Sequence, residues 1–157
     1  MIQSTQPTAL LRHAMLPFGP QALVIGGALS AAAAAAHLVC IALGAAAYRF
    51  IGAGEKMARA VETRKIRPTL ITLAISSLLL LWAAYALAGA GVIDRLPLVK
   101  VALPAICAVY LLRAVAFPLL KPAFPENSRT FWLVSSGTCL FMGLIHLYGI
   151  VARWSVL

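Results

Sequence analysis

From Ala22 to Tyr48 the chain runs 27 residues without a formal charge, and the next 19 residues, Arg49–Arg67, carry six Lys or Arg. An apolar run of that length exceeds the ~20 residues needed to cross a bilayer as a helix. A basic segment directly after it is the topology signal of a cytoplasmic loop. The pair predicts a membrane span followed by an inward-facing loop, and the rest of the chain must fit that frame.

Composition agrees. Charged residues make up 11% of the 157, against the ~25% of a soluble domain. Four apolar runs fill the chain, at about residues 22–48, 68–88, 98–120 and 131–153, with the basic loop at 49–67. The expected architecture is all-α: one polytopic domain, a four-transmembrane-helix bundle over residues 1–157. The net charge of +9 raises nucleic acid as a partner, but the cations gather in the loops flanking the spans, so none is expected. The bilayer is the expected partner.

In chain order, residues 1–21 contain Pro7, Pro17 and Pro20 and read as a loose arm, with Leu10–Phe18 able to lie on the membrane surface. Ala31–Ala36 offers an A-x-A cleavage pattern, but the apolar run continues past His37 to Ala47, too far for a signal peptide. Gly26, Ser30 and Ala34 form one row of small residues and Gly27 and Ala31 another, which allows close helix packing and puts the first span at the centre of the bundle. The same Ala/Gly-rich span could instead pack on a second copy or a larger complex. Gly52 and Gly54 mark a break, and Glu55 starts a short interfacial helix with Met57 and Val61 on its apolar side. Trp82 and Tyr85 are expected near the far interface, and Pro104 is expected to kink the third span.

Lys and Arg counts set the orientation. The loops after spans one and three hold eight (Arg49, Lys56, Arg59, Arg64, Lys65, Arg67, Lys121, Arg129), and the other side holds four (Arg12, Arg95, Lys100, Arg153). Both termini are therefore expected outside the cytoplasm. Cys40, Cys107 and Cys139 fall inside apolar runs and read as small buried hydrophobes, with no disulfide or metal site implied.

The segments Tyr48–Ala58 (YRFIGAGEKMA), Tyr85–Gly91 (YALAGAG) and Tyr110–Arg113 (YLLR) resemble stretches in small four-span proteins of proteobacterial inner membranes. The likeness covers most of the chain from His37 onward. It implies a bacterial inner-membrane location and the four-span layout, and it carries no catalytic residue across.

Ionisable side chains within spans are costly and therefore mark function by default. His37, Arg113 and His146 qualify. Counting ~1.5 Å per residue from the span centres puts His37 ~3 Å and Arg113 ~5 Å toward the cytoplasm, and His146 ~6 Å toward the outside. Arg113 stays charged. Two readings compete for it. It can snorkel to the interface or pair with Glu55, or it can hold an anion or lipid headgroup together with His37 and Tyr48. The two histidines raise haem, which would need both near one depth. Their offset of ~9 Å argues against it, so no cofactor is expected. The blander role for His146 is a hydrogen bond to Ser76, Ser77, Tyr85 or a backbone carbonyl. Motifs for zinc peptidases, α/β-hydrolases and P-loop enzymes are missing. The expected function is binding or passage of a small amphiphile or anion in a polar intramembrane pocket lined by His37, Arg113, Tyr48, Glu55 and His146. An accessory subunit of a larger complex is the alternative, and an enzyme acting on lipids stands third.

Overall fold

The computed structural model describes residues 18–125 and 127–157, and every regular element among them is helical. The expected loose arm and its surface-lying segment lie outside the described residues, except that Gly19–Gln21 already belong to the first helix.

Helix α1 spans Gly19–Leu43, with Pro20 in its first turn, where a missing N–H costs nothing. It stops five residues short of the expected Tyr48. Gly44 sits at φ 74°, ψ −154°, a conformation essentially confined to glycine, and its N–H closes the helix on the Cys40 carbonyl at 3.0 Å. The chain resumes as α2, Ala45–Phe50, and after Gly52 and Gly54 as α3, Glu55–Glu62. Helix α3 is amphipathic as expected: Ala58 is buried and Met57 and Val61 are half-buried, while Lys56, Arg59 and Glu62 are exposed.

Helix α4 spans Arg67–Ala90 and carries Pro68 in its first turn. It ends at Gly91 in the left-handed region, with Gly91 N–H donating to Ala88 O and Val92 N–H to Leu87 O, the paired bonds of a Schellman stop. Helix α5 spans Val99–Val115. It runs through Pro104, and the change of direction comes later: Val99–Val115 and Phe117–Ala123 meet at 63°. The reason is position. Pro104 forfeits one bond to Lys100, in the first turn of α5, whereas the Pro118 ring crowds the Ala114 carbonyl at the helix end and turns the chain aside. The turned piece is α6, Phe117–Leu120, followed by a 3-10 turn, Lys121–Ala123. Helix α7 spans Arg129–Arg153 and is capped by Ser128, whose Oγ accepts from Phe131 N–H at 3.0 Å.

Among the described residues, three helices, α1, α4 and α7, are long and apolar enough to cross a membrane, and the bent pair Val99–Val115 and Phe117–Ala123 makes four if it counts as one span. Leucine, valine and phenylalanine side chains are exposed along α4 and α7, as lipid-facing helices require. Helix α1 packs along both α4 and α7, α7 packs along α5, and the α4–α5 contact is narrower. The small row of α1 makes this possible: Gly26, Ser30 and Ala34 are all buried. A Cβ on Gly27 would come within 3.2 Å of the Ala83 carbonyl of α4, and one on Gly26 within 2.7 Å of the His146 ring of α7. Leu23, Ala34, Ala86, Leu103, Ile106 and Met142 form the core between the long helices. Trp82 lies against it, edge-on to Tyr110 with ring centroids 5.1 Å apart.

Candidate functional site

The narrow α4–α5 contact leaves a cavity of about 400 Å³, lined by all four long helices. His37 of α1 and Arg113 of α5 both line it, so two of the expected residues meet as the depth count suggested. Trp82 and Tyr110 form its aromatic wall, and Ser135 and Cys139 of α7 lie beside Arg113. Ile75, Leu78 and Val109 line it as well and are exposed, so the cavity opens toward the outer surface of the bundle.

Each polar group here has an identifiable bond. His37 Nδ1 lies 2.8 Å from the Ala33 carbonyl and donates to it. Ser30 Oγ donates to Gly26 O at 2.9 Å, so Tyr110 is the donor in its 2.9 Å bond to Ser30 Oγ. That bond pins the aromatic wall to α1. Arg113 donates from Nη2 to Ser135 Oγ at 3.1 Å, and its guanidinium carbon stands 5.5 Å from the centre of the Trp132 ring. A cation over an indole face is attracted by the ring quadrupole. Arg113 Nη1 is buried and has no hydrogen-bond partner among the described residues. A charged donor left unpaired costs more than the ~1–3 kcal/mol of a neutral one.

The Arg113–Glu55 pair does not form. Glu55 accepts from Arg49 Nε at 2.9 Å, from Arg49 Nη2 at 3.0 Å and from Arg59 Nε at 3.1 Å. Arg49, and then Arg59, hold its carboxyl down at about 2. Arg49 reaches Glu62 as well, at 2.8 Å, and its guanidinium is held above its ordinary range by the two carboxylates, Glu55 first. Proximity in sequence decides the match: Arg59 is one helical turn from Glu55, and Arg49 lies across a short break.

Tyr48 and His146 also lie off the cavity. Tyr48 is 1% exposed and donates to Thr72 Oγ1 at 2.8 Å, because the Thr72 hydroxyl is itself committed to the Pro68 carbonyl. It fastens α2 to α4. His146 is fully buried, and its Nδ1 donates to the Met142 carbonyl at 2.7 Å rather than pairing with Ser76, Ser77 or Tyr85. Ser76 donates to Thr72 O, and Tyr85 to Pro97 O. The His146 ring abuts Gly26, eleven residues before His37 on α1, so the two histidines stand about 16 Å apart along the helix, more than the expected offset. His146 Nε2 is buried without a partner among the described residues, and Tyr110 packs 5.4 Å from the ring. No group of three or more His, Cys, Asp or Glu capable of holding a metal occurs among the described residues.

Sequence reasoning passed over Ser135, Tyr110 and Trp132. The signal for Trp132 and Ser135 was their spacing of three on one helix, which turns them toward a common neighbour. No protein-family model, curated protein or solved structure matches the chain.

Proposed function

We propose that this is a four-span protein of a bacterial inner membrane, folded as a helical bundle with both termini outside the cytoplasm, that binds or passes an anionic amphiphile. The observation that carries the reading is Arg113 Nη1, a charged donor buried without a partner among the described residues, at the wall of an outward-opening cavity. An anionic head would accept from Nη1 with His37 nearby, and its tail would lie between Ile75, Leu78 and Val109. Binding energy would come from both ends: a charge-assisted hydrogen bond at the head and apolar contact along the tail.

Native mass spectrometry of gently extracted protein tests this. Wild type should retain an anionic amphiphile, Arg113→Gln should fold and lose it, and Glu55→Gln should keep it, since Glu55 is held by arginines elsewhere. Arg113→Lys should recover part of the retention, because an ammonium lacks the planar fork of a guanidinium. Equal retention in all variants would sink the reading. The alternative, an accessory subunit, draws on a second row of small residues, Ala28, Ala32 and Ala35, which is exposed on α1. Copurification of a larger partner in fixed ratio would favour it.

A further inference from the structure

A second groove, of about 430 Å³, lies between α6 and the first two turns of α7. Ala114, Phe117 and Leu133 form its apolar walls, and Lys121 and Arg129 bring exposed positive charge. Trp132 and Ser136 complete the lining. Trp132 is only 3% exposed, yet its Nε1–H has no hydrogen-bond partner among the described residues, and neither does the buried Ser136 Oγ. Buried polar atoms are nearly always paired, so two adjacent orphans on one groove need a reason. Arg129, Trp132 and Ser136 recur at intervals of three and four and share one face of α7. Arg129 is also the first residue of that helix, and the first turn holds no acidic residue. A cation there stands against the positive end of the helix dipole.

Four features of the groove share one complement: an indole N–H and a serine hydroxyl, both free to donate, and two exposed cations. Their complement is an anion with several acceptor oxygens and an apolar extension. We propose that the groove holds the phosphate headgroup of an anionic phospholipid. Its oxygens accept from Trp132 Nε1–H and Ser136 Oγ–H after a small side-chain adjustment, Lys121 and Arg129 neutralise its charge, and Phe117 and Leu133 carry the first acyl carbons. The groove shares no lining residue with the Arg113 cavity, which all four long helices line and which has its own orphaned donor, although the two adjoin where the Arg113 guanidinium stands over the Trp132 ring.

The test reads the indole directly. Protein carrying 15N-indole tryptophan is placed in phosphatidylcholine nanodiscs, where the three tryptophans give three Nε1–H resonances. The one lost in Trp132→Phe is that of Trp132. It should move downfield and saturate as phosphatidylglycerol replaces phosphatidylcholine. In the Lys121→Gln/Arg129→Gln double variant, whose changed side chains are exposed, saturation should need several-fold more phosphatidylglycerol while the thermal midpoint in phosphatidylcholine stays the same. A Trp132 resonance that ignores phosphatidylglycerol, or moves alike in the double variant, overturns the proposal. Inorganic phosphate added to phosphatidylcholine nanodiscs should leave the resonance in place; if it reproduces the shift, the lipid assignment is overturned in favour of a free-phosphate site. Loss of amphiphile retention in Arg113→Gln concerns the other cavity, so the two readings fail separately.

Discussion

At the scale of single residues, competition for partners decides where each charge ends up. Glu55 has Arg49 and Arg59 within reach through local backbone, so it never becomes the counter-ion of a cation in a distant helix. Arg113, left without a carboxylate, settles for a serine hydroxyl and an indole face and keeps one donor over. The Glu55 cluster has a pH signature. Its carboxyl is lowered from 4.5 to about 2 in the folded chain, so its contribution is in place above the unfolded value and is lost as pH falls through the folded one. Wild type should therefore be more stable than Glu55→Gln at neutral pH, and that difference should shrink between pH 4.5 and about 2. Thermal midpoints in detergent across that range check it; a gap that widens on acidification would contradict the pairing.

At the scale of elements, the long apolar runs were legible because a span must be apolar throughout, and α4 and α7 begin and end within two residues of their expected bounds. Their breaks were less legible. Gly44 lies inside an unbroken apolar run, and its positive φ reveals the stop. Pro104 drew attention as the proline inside a run, but the 63° bend comes at the break between Val99–Val115 and Phe117–Ala123, next to Pro118, while Pro104 touches only the first turn of its helix. Trp82 packs edge-on to Tyr110 and Trp132 faces the Arg113 guanidinium, partners supplied by another helix, which no local pattern contains. By contrast, the meeting of His37 and Arg113 followed from depth alone. The small face of α1 yields a further expectation. Ala34 is fully buried, whereas Ala74 of α4 is exposed. Ala34→Leu should destabilise by roughly 1–3 kcal/mol through overpacking, and Ala74→Leu should shift the midpoint far less. Equal midpoints would show that α1 is not tightly held.

At the scale of the molecule, apolar side chains face outward, and the polar surface is gathered at the two ends of the long helices. The basic surface of α2, α3 and the loops at 121 and 129 lies at the end of the long helices opposite the turn at Asp94 and Arg95, and the proposed orientation makes it the cytoplasmic side. With the native cysteines replaced, Ala60→Cys should be shielded from an impermeant thiol reagent in intact cells and Asp94→Cys should label. Labelling of position 60 from outside would reverse the orientation.

Under the proposed function, Arg113 selects what occupies the cavity. A photo-crosslinking amino acid at Val109, on the cavity wall, should capture one anionic amphiphile in preference to bulk lipid, and Arg113→Gln should abolish that preference. The same probe at Leu80, exposed on α4 and outside the cavity, should capture bulk lipid in both backgrounds. Adducts at Val109 that match those at Leu80, with or without Arg113, would contradict it.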